Sequence, residues 1–183
     1  MTIEHLVTHS GGFHADEVFS SVILTRIYPS AKLVRSRSAQ WITAGPDRVI
    51  YDVGGAYDAA AGIFDHHQRG APLRPDGQPY SSFGLIWHHF GRAYLEASNV
   101  PAEDIETLHA SFDASFVLPI DQVDNGAVSL SDAGPLASMT LPGLIETLKP
   151  VFDSTDPAAE ETGFHLALSI ARSFTEVRVA NSA

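Results

Sequence analysis

The 183-residue chain contains no cysteine, so neither a disulfide bond nor a thiolate-bound zinc ion can form within it. Any metal ion must therefore be held by histidine nitrogen and carboxylate oxygen atoms. The sequence also has no apolar run near the roughly 18 residues that a membrane-spanning helix needs. Together with the lack of a basic-then-apolar leader, this predicts a cytoplasmic protein with no membrane partner.

Basic residues are scarce: 11 lysines and arginines stand against 22 aspartates and glutamates, for a net charge of −11. An acidic surface repels a long polyanion, and the basic patch typical of nucleic-acid-binding proteins is missing. We therefore expect no long nucleic-acid duplex as a partner. Short phosphorylated substrates stay compatible with this composition, because bound divalent ions would add positive charge locally.

Apolar periodicity predicts alternating strands and helices through the first half of the chain. Strands are expected at residues 3–8, 31–35, 48–53 and 62–65, and helices at 15–28, 82–98 and 101–118. A turn of helix is expected at 39–44, an exposed loop at 70–80, a polar turn at 121–126, a loose segment at 134–142, and helices at 142–152 and 157–177. This alternation favours an α/β fold, a parallel sheet flanked by helices on both faces. We expect residues 1–127 to form the α/β domain and residues 128–183 a small helical C-terminal extension packed on it.

Histidine and aspartate residues follow several of the predicted strands. His9 follows the first strand, Asp52 ends the third, and Asp65 ends the fourth, where it begins the run Asp-His-His. Ligands of open α/β sheets bind beyond the carboxyl ends of the strands. These side chains are therefore expected to converge, although they are more than fifty positions apart.

The types of these side chains indicate a metal site. Carboxylate and imidazole donors together select manganese, iron, cobalt or zinc over magnesium and calcium. The set is large enough for two ions bridged by a carboxylate, and such a pair can activate a water and neutralise a phosphoryl group. A single zinc site would need only three of these donors. The candidates are His9, His14, Asp16, Asp52, Asp65, His66 and His67, with either Asp121 or Asp124.

Five blocks carry a family resemblance: THSGGFHADEVFS, YDVGGAYD, FDHHQRG, SSFGLIWHHFG and DQVDNGA. In this order, across residues 3–127, they resemble the melanocyte-proliferating-gene (MYG) family of the DHH phosphoesterase superfamily. The resemblance implies a DHH phosphoesterase-like fold and hydrolysis of phosphoester or phosphoanhydride bonds. Relatives in this branch look like 3′–5′ exonucleases that act on RNA.

The resemblance also implies a dinuclear metal site. Manganese is the expected ion, with magnesium and zinc as alternatives. The implied metal ligands are His9, His14, Asp16, Asp52, His66 and Asp124. Asp52 would bridge the two ions, His14 stands where many DHH enzymes have an aspartate, and Asp121 is the alternative to Asp124.

Three further residues receive catalytic roles from the resemblance. His67 would face the substrate and assist departure of the leaving group. Asp65 would orient His66 or act as an outer carboxylate ligand. Arg69 would meet a phosphate oxygen, a role that Arg35 or Arg37 could also fill.

We therefore expect a metal-dependent phosphoester hydrolase whose substrate is a short oligonucleotide or a small nucleotide phosphate. Full-length relatives are longer and close the site with a C-terminal portion, whereas about fifty-five residues follow the Asp-Asn-Gly block here. This difference predicts either a short form with an open site or a lid supplied by a partner chain, and a homo-oligomer is also an open alternative.

Two other function classes compete with this reading. One is a non-catalytic metal-binding domain that acts through a partner. The other is a zinc-type hydrolase of amide or ester bonds, against which the sequence offers too many ligands for one ion and no His-Glu-x-x-His helix.

Overall fold

The computed structural model describes residues 2–156 and 158–182, and within them a five-stranded sheet lies at the centre. Its strands are β1 (His5–Thr8), β2 (Lys32–Arg35), β3 (Arg48–Tyr51), β4 (Tyr57–Asp58) and β5 (Ile63–Phe64), in the order β2-β1-β3-β5-β4. Neighbours from β2 to β5 pair in parallel, whereas β4 is an antiparallel edge strand. The predicted α/β fold with a mainly parallel sheet is confirmed.

Helices surround this sheet. The α-helices of the described residues are α1 (Ala15–Ile27), α2 (Ala39–Ile42), α3 (Ser82–Ala97), α4 (Ile105–Phe112), α5 (Leu118–Asp124), α6 (Leu141–Thr147) and α7 (Ala159–Ala180). A π-helical turn at Asp113–Val117 joins α4 to α5, and a 3-10 segment at Leu130–Met139 precedes α6. None of the described helices combines the length and apolarity needed to cross a membrane.

The two faces of the sheet bury unequal cores. Alternate strand residues such as Leu6 and Tyr51 contribute to the main core, which α1 and α3 complete. Val7 and Ile50 point the other way, into a small cluster that includes Trp41 of α2. Because successive side chains of a strand alternate between faces, this division follows from the apolar runs in β1 and β3.

Helix α1 is the central helix of the main core. Every residue from Ala15 to Leu24 is buried, so this helix has no solvent-facing side over its first three turns. Its two inward serines are satisfied by partners across the core: Ser20 bonds Ser82 at 3.2 Å, and Ser21 bonds the hydroxyl of Tyr51 at 2.6 Å. These two bonds tie α1 to α3 and to β3.

A buried ion network fixes the loop between β5 and α3. The guanidinium of Arg74 donates to Asp113 and to the fully buried Asp121, each at 2.8 Å. Asp121 also accepts from the hydroxyl of Ser81 at 2.6 Å and from the backbone N–H of Gly84 at 3.0 Å. Burial raises the pKa of Asp121 to about 6, and the bonds from Ser81 and Arg74 limit that rise.

Two differences from the predicted elements bear on the site. The predicted polar turn at 121–126 is wrong in its first part, because the chain stays helical to Asp124. Pro119 lacks an N–H group, and the wide π turn just before it lets the helix continue rather than end. The helix predicted from Pro101 begins only at Ile105, after a series of turns.

The remaining differences lie at the sheet edge and in the C-terminal part. The two-residue strand β4 was not predicted, and the segment expected to be loose at 134–142 is 3-10 helical as far as Met139. The last helix was predicted to begin at Pro157, which lies outside the described residues; α7 is observed from Ala159. The loop at 70–80 was expected to be exposed, but Arg74 and Tyr80 are buried in it.

Removal of Arg74 tests the importance of the ion network. In Arg74→Ala, the buried Asp121 would lose its cationic partner, so we expect the free energy of unfolding to fall by about 3–5 kcal/mol. Urea denaturation monitored by tryptophan fluorescence measures this change. The matched control is Arg92→Ala, which removes an exposed ion pair with Glu106 and should leave stability nearly unchanged. Equal stability of the two variants would contradict the assignment.

Candidate metal centre

The first loop of the site connects β1 to α1. His9 follows β1 directly, and Asp16 and Glu17 lie in the first turn of α1, where negative charge suits the helix dipole. The carboxylate of Glu17 accepts the backbone N–H of His14 at 2.9 and 2.8 Å, which caps the helix. One of its oxygens is also 3.1 Å from Nε2 of His9. Glu17 thus links both ends of the loop.

Asp52 lies just beyond the carboxyl end of β3 and has a left-handed backbone, with φ of +57°. Aspartate tolerates this conformation better than most residues, and Gly54 and Gly55 continue the sharp turn with positive φ. The turn directs the carboxylate toward two histidines: Oδ2 is 3.0 Å from Nε2 of His9, and Oδ1 is 3.2 Å from Nε2 of His66. One carboxylate therefore contacts imidazoles from two different loops.

Asp65 organises the loop after β5. Its carboxylate accepts three backbone N–H groups, from Gly55 at 2.6 Å, His66 at 2.8 Å and His67 at 3.1 Å. It is also 2.7 Å from Nδ1 of His67. With these partners, Asp65 fixes the imidazole of His67, while it reaches His66 only through the backbone.

Helix α5 supplies the last carboxylate. Asp124, in its last turn, is 3.5 Å from Nε2 of His66, and Asp16 approaches the same nitrogen to 3.6 Å. Asp121 lies one turn earlier and is used instead by the network around Arg74. Of the two alternatives left by the sequence, Asp124 is therefore the one that faces the cluster.

These side chains form overlapping groups of three. Within each group, the ligand atoms lie within 4.8 Å of one another. The groups are His9-His14-Glu17, Asp16-His66-Asp124, Asp52-His66-His67 and Asp16-Glu17-Asp52. The six residues expected to bind metal are all among them. Arg69, expected beside them, is exposed and makes no hydrogen bond or ion pair with any described residue.

The electrostatics of the cluster fit divalent cations. Asp16 is fully buried, and neither of its oxygens accepts a hydrogen bond from the described residues. Burial and the nearby charges of Asp52 and Asp124 raise the pKa of Asp16 well above its usual range. Burial would lower the pKa of His9, but its bonds to Asp52 and Glu17 outweigh it and raise that pKa to about 9. Such crowding of carboxylates is relieved when a cation binds between them.

The sequence pattern points to Asp16 as a site residue but not to the neighbouring Glu17. The position of Glu17 does carry a signal. It lies three residues after His14, the residue that precedes α1, and a glutamate at that position is typical of a capping box. That pattern predicts the helix start but not the contact with His9, because the contact depends on how the loop folds back.

Arg35 and Arg37 differ sharply in position. The side chain of Arg35 is only 3% exposed; it lies over the ring of Phe164, pairs with Glu161 at 3.2 Å and donates to the carbonyl of Gly11. Arg37 is exposed and uses only its Nε atom, which donates to the carbonyl of Ser10 at 3.1 Å. Arg35 is thus committed to packing, whereas the terminal nitrogens of Arg37 bond no other described residue.

Two depressions flank the cluster and share His14, His67 and Asp124. The first, called here the apolar cavity, has a volume of about 430 Å³ and continues from the cluster to Ile120, Val123, Asn125, Leu130, Pro142 and Glu146. The second, the arginine groove, has about 290 Å³ and continues to Gly12, Arg37, Gly54 and Gly55. One depression thus adds aliphatic side chains next to the cluster, and the other adds a single arginine.

A mainly parallel sheet with clustered carboxylates and imidazoles beyond its strand ends is the arrangement of an α/β protein with a ligand site at the carboxyl edge. Sequence comparison identifies the family. The family model MYG1_exonuc, described as an uncharacterised protein family (UPF0160), matches residues 5–183. The chain belongs to this family.

Several curated relatives are similar to the chain. A MYG1 protein of Schizosaccharomyces pombe is 38% identical over 162 residues, which cover 81% of this chain and 49% of the relative. Proteins named MYG1 exonuclease from Bos taurus and Homo sapiens are each 32% identical, over 90% and 89% of this chain and 46% of each relative. The chain thus spans about half the length of these relatives. No solved structure gives a significant match.

Manganese should stabilise the protein if the cluster binds it. At a concentration hundredfold above Kd, binding to the folded state alone contributes roughly 2.7 kcal/mol, or about 5–10 °C in Tm for a chain of this size. We expect Asp16→Asn to lose most of this rise in Tm. The substitution removes a buried carboxylate whose oxygens accept no hydrogen bond from the described residues and are therefore available to a cation. Differential scanning fluorimetry of metal-free protein, titrated with manganese chloride, measures it.

The matched control is Asp58→Asn, which neutralises an exposed carboxylate on β4. This variant should keep the full manganese-induced shift. An equal shift in the Asp16 and Asp58 variants would exclude Asp16 from the cation site.

Proposed function

We propose that this chain is a metal-dependent phosphoester hydrolase of the DHH type. Its activity would be that of a 3′–5′ exonuclease or of a nucleotide phosphodiesterase acting on short substrates. The names of the cattle and human relatives, MYG1 exonuclease, support a nucleic-acid substrate. The acidic composition supports a short one, because a net charge of −11 opposes binding along an extended duplex.

One observation carries the proposal. The two oxygens of Asp52 face different histidines, His9 in the first loop and His66 after β5, at 3.0 and 3.2 Å. A carboxylate placed in this way between two loops could hold one ion with each of its oxygens. His9, His14 and Glu17 would complete the shell of one ion, and Asp16, His66 and Asp124 that of the other. Manganese suits this mixed donor set best, with magnesium and zinc as alternatives.

Two such ions, when bound, neutralise phosphoryl oxygens and lower the pKa of a water molecule. The chain itself supplies the group that assists the leaving oxygen. The side chain of His67 is 62% exposed, and its Nδ1 is held by Asp65. Nε2 of His67 is then available to hydrogen-bond the leaving oxygen and hold a proton there, while Asp65 keeps the imidazole oriented.

The arginine groove supplies a contact for the substrate's anionic backbone. Arg37 lines it, and the terminal nitrogens of its guanidinium bond no other described residue. A planar guanidinium can donate two parallel hydrogen bonds to a phosphate. We assign this role to Arg37 in preference to Arg69, because the geometry gives Arg69 no place along the walls of either depression.

A second candidate function is a non-catalytic metal-binding domain that acts through a partner. The observation in its favour is length, since the chain covers only 46–49% of the relatives described above. This candidate predicts normal metal binding without turnover of any phosphoester. A zinc-type amide hydrolase instead predicts one tightly bound zinc ion and insensitivity to Asp124→Asn.

Manganese-stimulated release of mononucleotides from a short, end-labelled RNA tests the proposal directly. We expect turnover by the wild type, and a loss of about 10²–10⁴-fold in His67→Ala, because that variant removes the group that assists the leaving oxygen. His67→Ala should still show the manganese-induced rise in Tm. Asp52→Asn should lose both turnover and the Tm shift, since it removes the proposed bridge.

The outcomes separate the candidates. Folded wild-type protein that binds manganese but releases no nucleotide would favour the non-catalytic domain. Full manganese binding by Asp52→Asn would disprove the bridging role, whatever the activity.

Substitution of Arg37 tests the phosphate contact. A charged hydrogen bond contributes roughly 1.5–3 kcal/mol, so Arg37→Ala should raise KM for the RNA by about tenfold or more while kcat changes little. Arg37→Lys should recover part of the loss, because it restores the charge but not the planar fork. Arg92→Ala, on the remote surface of α3, is the control. Unchanged KM in Arg37→Ala would refute the assignment.

A further inference from the structure

We propose that the apolar cavity is the binding site for the terminal nucleoside of the substrate. This inference rests on the proposed function and adds the orientation of the substrate and the group that is recognised. The cavity opens directly onto the cluster, because His14, His66, His67 and Asp124 form one of its walls. A phosphate held at the cluster would therefore place one attached nucleoside inside it.

The rest of the lining is mainly aliphatic, which suits the faces of a nucleobase. Ile120 and Val123 contribute from α5, Leu130 from the start of the 3-10 segment, and Pro142 from the first turn of α6. A volume of about 430 Å³ lies within the range of small-molecule sites. Burial of a planar base against aliphatic side chains is favourable, and it does not depend on which base is present.

Two polar side chains stand among these apolar walls. Asn125 donates its amide N–H to the carbonyl of Asp121 at 2.9 Å, which leaves its amide oxygen as an acceptor. Glu146 pairs with Lys149 at 2.7 Å, and its carboxylate has further acceptor capacity. A nucleoside offers matching donors in its exocyclic amino groups and ribose hydroxyls. A purely apolar ligand would leave these acceptors unused.

The arginine groove on the other side of the cluster gives the substrate a direction. Arg37 is suited to a phosphate, whereas the aliphatic side chains of the apolar cavity are suited to a base. The terminal nucleoside thus belongs to the apolar side, and the remaining chain, with its phosphates, to the arginine side. A phosphate without a base would occupy only the cluster and would leave the apolar cavity empty.

Ligand comparison on the wild-type protein tests the inference without any mutation. Isothermal titration in manganese would compare adenosine 5′-monophosphate with ribose 5-phosphate, which has the same sugar and phosphate but no base. We expect the nucleotide to bind at least about tenfold more tightly, because only it fills the cavity. Equal affinities would overturn the nucleoside site.

Filling the cavity is the second test. Leu130→Trp should reduce the affinity for adenosine 5′-monophosphate by about tenfold and leave that for ribose 5-phosphate unchanged. The matched control is Leu136→Trp, at a leucine in the same 3-10 segment that is 62% exposed. Thermal unfolding and the manganese-induced Tm shift establish that both variants fold. An unchanged preference for the nucleotide in folded Leu130→Trp would overturn the inference.

The proposed function and this inference fail in different ways. Turnover of RNA by a protein that binds the two ligands equally would overturn the nucleoside site alone. Preference for the nucleotide, lost in Leu130→Trp but without any RNA turnover, would support the nucleoside site and overturn the hydrolase.

Discussion

The burial of several carboxylates around Asp52 is the constraint on which the rest of the structure depends. Carboxylates are rarely buried close together, since each loses hydration and repels the others. Here Asp16 and Glu17 are completely buried, with Asp52 almost so. His9 and His66 compensate only part of this negative charge, so packing and hydrogen bonds elsewhere in the fold must keep the carboxylates together. The fully buried first turns of α1, the left-handed turn at Asp52 and the ion network behind α5 all serve this purpose.

The site residues that follow strands are the ones that the sequence predicts. His9, Asp52 and Asp65 follow apolar runs, and the parallel sheet brings such positions to one edge by its topology alone. The choice between Asp121 and Asp124 could not be made in this way. It depends on the rotation of α5, which the π turn and the pairing of Asp121 with Arg74 determine.

The arginines show the same limit. Arg69, beside the Asp-His-His run, is the first choice from the sequence, with Arg35 and Arg37 as alternatives, but the spacing alone does not show which of them is exposed near the cluster. Arg35 is the last residue of β2 and is drawn inward over Phe164, while Arg37 lies two residues further on and is exposed. Residues on the loops after a strand differ in burial according to contacts from distant parts of the chain, here α7. Periodicity within a short segment carries no information about such contacts.

The position of Arg35 makes the C-terminal helix part of the frame of the site. Its guanidinium joins the carbonyl of Gly11, in the first loop, to Glu161 on α7, and Phe164 packs edge-on against Phe13 beside them. Any movement of α7 would therefore be transmitted to the loop that carries His9. The shape of the first loop thus depends in part on an ion pair between residues 126 positions apart in the sequence. A substitution on the inner face of α7 could therefore alter the geometry of the cluster without touching any of its side chains.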